Sequence, residues 1–118
     1  MTLLPTHTRI WLRPGITNMQ KGFDGLSLLV QDVLHGDPFG GHVFVFRGRN
    51  AHMVKILWYD GQGLCLFSKR LERGRFVWPQ VCDGRVQLSP AQLSMLIEGI
   101  DWRRPERTDR SWRPTLAG

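Results

Sequence analysis

Between His42 and Trp78 the chain passes through four runs rich in β-branched and aromatic residues, parted by connectors of a few residues each. No other feature of the sequence constrains the fold as tightly. The runs are His42 to Arg47, Val54 to Tyr59, Leu64 to Leu71 and Phe76 to Trp78. The connectors hold Gly48-Arg49-Asn50-Ala51, Asp60-Gly61-Gln62-Gly63 and Glu72-Arg73-Gly74-Arg75, which are turn-forming sequences. A parallel crossover needs about a dozen residues or more, so links this short join antiparallel neighbours. The segment therefore predicts a four-stranded antiparallel meander.

Around it stand two helical patterns and two further short strands. Arg9-Ile10-Trp11-Leu12-Arg13 alternates and stops at Pro14-Gly15, as a strand closed by a turn does. Thr17 and Gln20 have capping-box spacing, and Met19, Phe23, Leu26, Val30, Val33 and Leu34 recur at helical intervals, predicting a helix over residues 18–35. Val86-Gln87-Leu88 reads as a last strand. Ser89-Pro90-Ala91-Gln92 then combines an N-cap serine, a proline at the first helical position and a glutamine at the third, opening a helix to about Glu98. From Asp101 onward the periodicity vanishes, and five arginines fall beside Trp102, Trp112, Pro105 and Pro114.

The expected architecture is α+β: one compact domain over residues 1–100, an antiparallel meander sheet of four to six strands with two helices against one face, and a flexible basic tail over 101–118. At 118 residues there is room for one modest core. With strands apolar on both faces at Phe44, Phe46, Trp58, Tyr59 and Phe67, two helices on one side leave an aromatic sheet face uncovered for another protein. No apolar run is long enough to span a bilayer, and the first nine residues carry no basic region followed by a sustained apolar stretch, so a cytoplasmic protein without a membrane partner is expected. Cys65 lies in an apolar run and reads as a buried free thiol, in keeping with a reducing compartment.

Catalysis finds little support. His7, His35, His42, His52 and the two cysteines show no metal-ligand spacing, so neither a metal nor a cofactor is expected. Ser27, Ser68, Ser89 and Ser94 lie in no activated-nucleophile motif. Asp24, Asp60, Glu72 and Asp83 are scattered, three of them in turns, which suits local hydrogen bonding better than a two-metal nuclease centre.

Charge is the positive signal. The chain carries +6 at neutral pH with a pI near 10.4, and seven basic residues against Asp60 and Glu72 put +5 of it between Arg47 and Arg75. Lys69, Arg70, Arg73 and Arg75 crowd a hairpin tip followed by Phe76 and Trp78, and Arg47 and Arg49 flank Gly48 on another connector. Guanidinium groups fork onto phosphates and aromatics stack on bases, so these six residues are candidate nucleic-acid contacts, with a solvated hairpin and core aromatics as the alternative. Trp102, Arg103, Arg104 and Trp112 are candidate partner contacts in the tail.

The run His42-Val-Phe-Val-Phe-Arg-Gly-Arg49, then Lys55-Ile-Leu-Trp-Tyr-Asp-Gly61, Leu64-Cys-Leu-Phe67, Lys69 to Phe76 and Trp78-Pro79 resembles the TnpB-type accessory proteins of the IS66 insertion-sequence family, which are distinct from the RNA-guided nuclease also called TnpB. Met19 to Leu26 and Leu93 to Trp102 resemble it too, so the likeness spans about Arg9 to Arg104. The resemblance implies a bacterial, non-catalytic product needed for efficient transposition beside a separate transposase. It brings no catalytic residues with it. Its expected partners are element DNA, the transposase and other proteins of the element, and a second copy of itself. A purely protein-binding subunit that never touches DNA is the alternative.

Overall fold

The computed structural model of the chain describes residues 7–79, 86–101, 103 and 106–108. Among the described residues seven strands and two helices follow in the order β1 (Ile10–Ile16), α1 (Phe23–Asp32), β2 (Val43–Arg47), β3 (Met53–Tyr59), β4 (Leu64–Arg70), β5 (Val86–Leu88), α2 (Pro90–Ile97), β6 (Ile100–Asp101) and β7 (Glu106–Arg107). Five strands form one sheet in the order β4-β3-β2-β1-β5, and β6 pairs with β7. The class is α+β, mostly antiparallel, with two helices, as the sequence predicts.

The meander is shorter than expected. β2, β3 and β4 pair in antiparallel succession, but residues 75–79 join no strand and lie over the sheet, with Phe76 and Val77 buried. β1 pairs with β2 in parallel, from Ile10 opposite Val43 to Ile16 opposite Arg47. The short-link rule does not govern this pair, because residues 17–42 with α1 make a connection long enough for a parallel crossover. Nor does β1 stop at Pro14-Gly15: it continues to Ile16 past an irregularity in register between Leu12 and Ile16.

The helices lie on opposite faces of the sheet, not on one. Successive strand residues point to opposite sides, so Val43 and Val45 join Val54, Ile56, Phe76 and the α2 residues Leu93 and Leu96 in one cluster. Phe44 and Phe46 join Leu57, the α1 residues Leu26 and Val30, and Leu34 just beyond the helix in the other. That is why β2 is apolar at every core position: it is a central strand covered on both faces. The uncovered aromatic face expected from the sequence is thus filled, with Phe44 and Phe46 at 1% and 0% exposure.

Local signals acted unevenly. The Ser89 box forms in full, Ser89 N–H donating to Gln92 Oε1 at 2.8 Å and Gln92 N–H to Ser89 Oγ at 3.1 Å. The Thr17 box does not. Thr17 is buried, its N–H donates to Arg47 O at 2.8 Å, its hydroxyl accepts from Arg13 Nη1 at 3.1 Å, and α1 starts later with Gly22 as its N-cap. Thr17 is needed to bind β1 to β2, which outweighs its value as a cap. Ile100–Asp101 folds back on Glu106–Arg107, while most of residues 101–118 lies outside the described residues.

Candidate nucleic-acid interface

One end of the sheet collects the charge. There β1 and β2 finish together because they are parallel, β3 begins, and β4 finishes. The turn between β2 and β3 is tight: Gly48 N–H donates to Met53 O at 3.0 Å, and a Cβ at Gly48 would lie 2.8 Å from Met19 Cγ and 3.1 Å from Met53 Cβ. Glycine is therefore required between Arg47 and Arg49. The chain leaving β4 folds onto this turn, with Leu71 N–H donating to His52 O at 2.8 Å and Phe76 N–H to Ala51 O at 2.7 Å. Thr108, next to β7, braces the same loop: its Oγ1 accepts from Arg75 N–H at 3.0 Å and donates to Arg75 O at 2.7 Å.

The six candidate residues take different places in this frame. Arg49 and Arg73 are exposed on the turns. Arg70 is exposed too, but pairs with Glu72 at 3.1 Å, a solvated bridge that offsets its charge and adds little stability. Lys69 is turned to structural use: its Nζ donates to Ile97 O at 2.8 Å, satisfying one of the last carbonyls of α2. Arg47 and Arg75 line a cleft of about 620 Å³ together with Arg13, Trp78 and Arg103. The Arg47 guanidinium lies over the Trp78 ring at 5.6 Å from its centroid, and Phe76 meets Trp78 edge-on at 5.9 Å.

No acidic side chain lines this cleft among the described residues. Asp101 stands beside it and pairs with Arg103, Nε to Oδ1 and Nη2 to Oδ2 both at 3.1 Å, which holds the Arg103 guanidinium above its ordinary pKa. Arg13 spends its Nη1 on Ile16 O at 2.9 Å and Thr17 Oγ1, both uncharged acceptors, so its own charge is uncompensated by them. The Nε of Arg13, the Nε of Arg47 and the indole Nε1 of Trp78 are shut from solvent and have no hydrogen-bond partner among the described residues. A buried donor left unpaired costs about 1–3 kcal/mol, and three such donors belong to one cleft wall.

Arg13 escaped the sequence reading because its neighbours on the cleft are distant in the chain and only the parallel pairing brings it beside Arg47. Arg103, expected to face a partner, is on the same cleft. Trp102, Arg104 and Trp112 lie outside the described residues. A second, smaller hollow of about 420 Å³ holds Asn50, His52, Arg70 and Glu72, where the acid already answers the cation.

Nothing in the arrangement assembles a catalytic centre among the described residues. Asp60 is held in the β3–β4 turn, accepting from the N–H groups of Gln62 at 2.9 Å and Gly63 at 2.8 Å, and these bonds hold its carboxyl below the usual carboxylate range. Cys65 is a free thiol that donates to Asp60 Oδ2 at 3.5 Å; partial burial, then the Asp60 carboxylate, pushes its pKa up. No group of three His, Cys, Asp or Glu residues stands in a metal-holding arrangement, and no helix is long and apolar enough to cross a membrane, among the described residues.

The stretch from residue 8 to residue 107, which holds every element above, matches the family described as IS66 Orf2-like proteins. The chain belongs to that family. It is thereby an insertion-sequence-associated protein, and the likeness drawn from residues 9–104 is borne out. Two relatives of the chain come from Sinorhizobium fredii (strain NBRC 101917 / NGR234), and both are described as uncharacterized proteins. The protein y4hO is 52% identical over 118 residues, covering 98% of this chain and 100% of that one. The protein y4jC is 37% identical over 99 residues, covering 84% of this chain and 85% of its own. No solved structure matches this IS66 Orf2-like chain.

Proposed function

We propose that the protein is a non-catalytic accessory factor of insertion-sequence transposition, working in the cytoplasm, and that it touches element DNA with the arginine-bearing end of its sheet. The observation that supports this is the gathering of Arg13, Arg47, Arg49, Arg70, Arg73 and Arg75 around the ends of β1, β2 and β4, where Glu72 and Asp101 are the neighbouring acids named by the ion pairs. Such a surface neutralises phosphates and releases counterions, so log K falls with log salt by about 0.9 for each phosphate met on duplex DNA. The tail residues Trp102, Arg104 and Trp112 enter the same proposal as contacts to the transposase.

Fluorescence anisotropy with duplex and single-stranded element-end DNA across a salt series tests it. The wild type should bind with a steep slope, and the Arg70/Arg73/Arg75→Ala variant should bind less tightly with a slope shallower by about two to three units. Absence of binding at low salt overturns the proposal. A second reading, a subunit that meets only protein, has its own support: Phe23, Leu28 and Val33 on or beside α1 are 48%, 57% and 45% exposed. Apolar association of that kind carries no such salt slope.

A further inference from the structure

We propose that the cleft walled by Arg13, Arg47, Arg75, Arg103 and Trp78 is a seat for one phosphate group of a nucleic-acid strand. The inference rests on the DNA-contact reading and makes it specific: the outer arginines attract the polyanion, and this cleft grips it.

Three features point to the chemistry of the occupant. Arg13 Nε–H, Arg47 Nε–H and Trp78 Nε1–H are donors closed to solvent and without a partner among the described residues, so a small turn of these side chains on binding offers them to an occupant rich in acceptors. Four guanidinium groups and no carboxylate line the cleft among the described residues, and with Arg103 answered by Asp101 three of them still favour an anion as the occupant. A phosphate offers acceptor oxygens and negative charge together, and guanidinium forks suit it geometrically. The volume of about 620 Å³ is that of a small-molecule pocket, which leaves room for the nucleoside attached to the phosphate.

The wall is also braced in advance. The Arg47 guanidinium lies over the Trp78 ring at 5.6 Å from its centroid, Trp78 is met edge-on by Phe76 at 5.9 Å, and Arg13 is tied by Nη1 to Ile16 O and Thr17 Oγ1. Side chains already immobilised lose little further freedom on binding, which raises affinity. Arg49 and Arg73, exposed on the turns, act as charges.

The test is ¹⁵N-edited NMR of the full chain, following the arginine Nε–H and tryptophan indole signals, assigned with the Arg13→Lys, Arg47→Lys and Trp78→Phe variants. The probes are thymidylyl-thymidine, with an internal phosphodiester, thymidine 5′-monophosphate, with a terminal phosphate, and inorganic phosphate. Either nucleotide should move the Arg13, Arg47 and Trp78 signals together, and which one binds more tightly assigns the seat to strand interior or strand end. Arg47→Lys keeps the charge and Trp78→Phe keeps the ring, yet each should weaken nucleotide binding roughly tenfold, the worth of one hydrogen bond to an ionised acceptor. Duplex binding by Arg47→Lys should keep its salt slope.

Signals that stay still with all three probes overturn the cleft as a phosphate seat, and if duplex DNA still binds, the broader DNA-contact reading stands without it. Movement with inorganic phosphate and neither nucleotide assigns a free-anion site and overturns the nucleic-acid occupant. Nucleotide affinity unchanged in both Arg47→Lys and Trp78→Phe overturns the directed donors. If the cleft signals respond to nucleotides while neither duplex nor single-stranded element DNA binds, the seat stands and the wider interface falls.

Discussion

Replacing Lys69 by methionine separates what the structure says about that residue from what its place in a basic run suggests. Methionine keeps most of the aliphatic stem but removes the ammonium that donates to Ile97 O at 2.8 Å. A hydrogen bond from a charged donor contributes about 1.5–3 kcal/mol, and a cation at a helix C-terminus about 0.3–1 kcal/mol, the two overlapping here in one contact. Lys69 is half-buried, so solvent takes over part of the loss, leaving a net cost of about 1–2 kcal/mol. For a domain of about this size each kcal/mol lowers Tm by about 4–8 °C, so calorimetry should show a fall of roughly 5–10 °C. Urea denaturation should show the midpoint falling with the slope unchanged. In the salt-series binding assay Lys69→Met should leave the slope as in the wild type, whereas Arg75→Ala should lower it by about one unit. A Lys69→Met protein of wild-type stability whose binding slope drops by a unit would refute the reasoning and return Lys69 to the DNA contacts.

Three further substitutions probe the frame. Gly99 ends α2 with φ +69, and an added Cβ would meet Leu71 Cδ1 at 3.2 Å, so Gly99→Ala should cost about 1–2 kcal/mol in chemical denaturation, and a neutral result would rule out the left-handed cap. Ser89→Ala breaks one arm of the capping box and should cost about 1 kcal/mol, with Ser89→Asp recovering most of it. Asp60→Asn bears on both partners in the β3–β4 turn: with the carboxylate gone the Cys65 thiol should titrate lower and react faster with iodoacetamide at pH 8, followed by peptide mass spectrometry, though burial, its larger cause of elevation, remains. Because the folded-state pKa of Asp60 is depressed, its stabilising effect is fully present above the ordinary value of 3.8 and is lost as the pH falls through the lower folded one, so wild type and Asp60→Asn should converge in stability only in strong acid.

The parts of this fold that could be read in the sequence are those in which neighbours in space are neighbours in the chain. β2, β3 and β4 are joined by turns, β5 and α2 meet across a capping box within a few residues, and both arrive where the pattern puts them. What could not be read depends on residues far apart. Thr17 has the right spacing for a cap, but the bond to Arg47 O that claims it is set by a pairing across the crossover. Phe76 and Trp78 alternate like strand residues, yet the chain leaving β4 turns back over the sheet and leaves the outer edge of β4 unpaired among the described residues, because burial over the α2 side stabilises them more. Lys69 looks the same in sequence as Arg70 beside it. Alternation along β4 turns the lysine toward α2 and the arginine toward Glu72, and only one of the two stays available to a ligand.

The same reasoning explains why the candidate site was half visible. Its electrostatic part is a local excess of charge, which composition registers without knowledge of the fold, and so Arg47 and Arg75 stand out. Its directional part is the set of three unpaired donors, and this exists only because β1 runs parallel to β2. In parallel strands the carboxyl ends coincide, so Arg13 near the end of one comes beside Arg47 at the end of the other. An antiparallel β1 would have carried Arg13 to the opposite end of the sheet and left the cleft with one wall fewer. Residues 17–42, long enough to permit the crossover and ordered by α1 over Phe44 and Phe46, thus decide which arginines can act on one phosphate, although none of them lines the cleft.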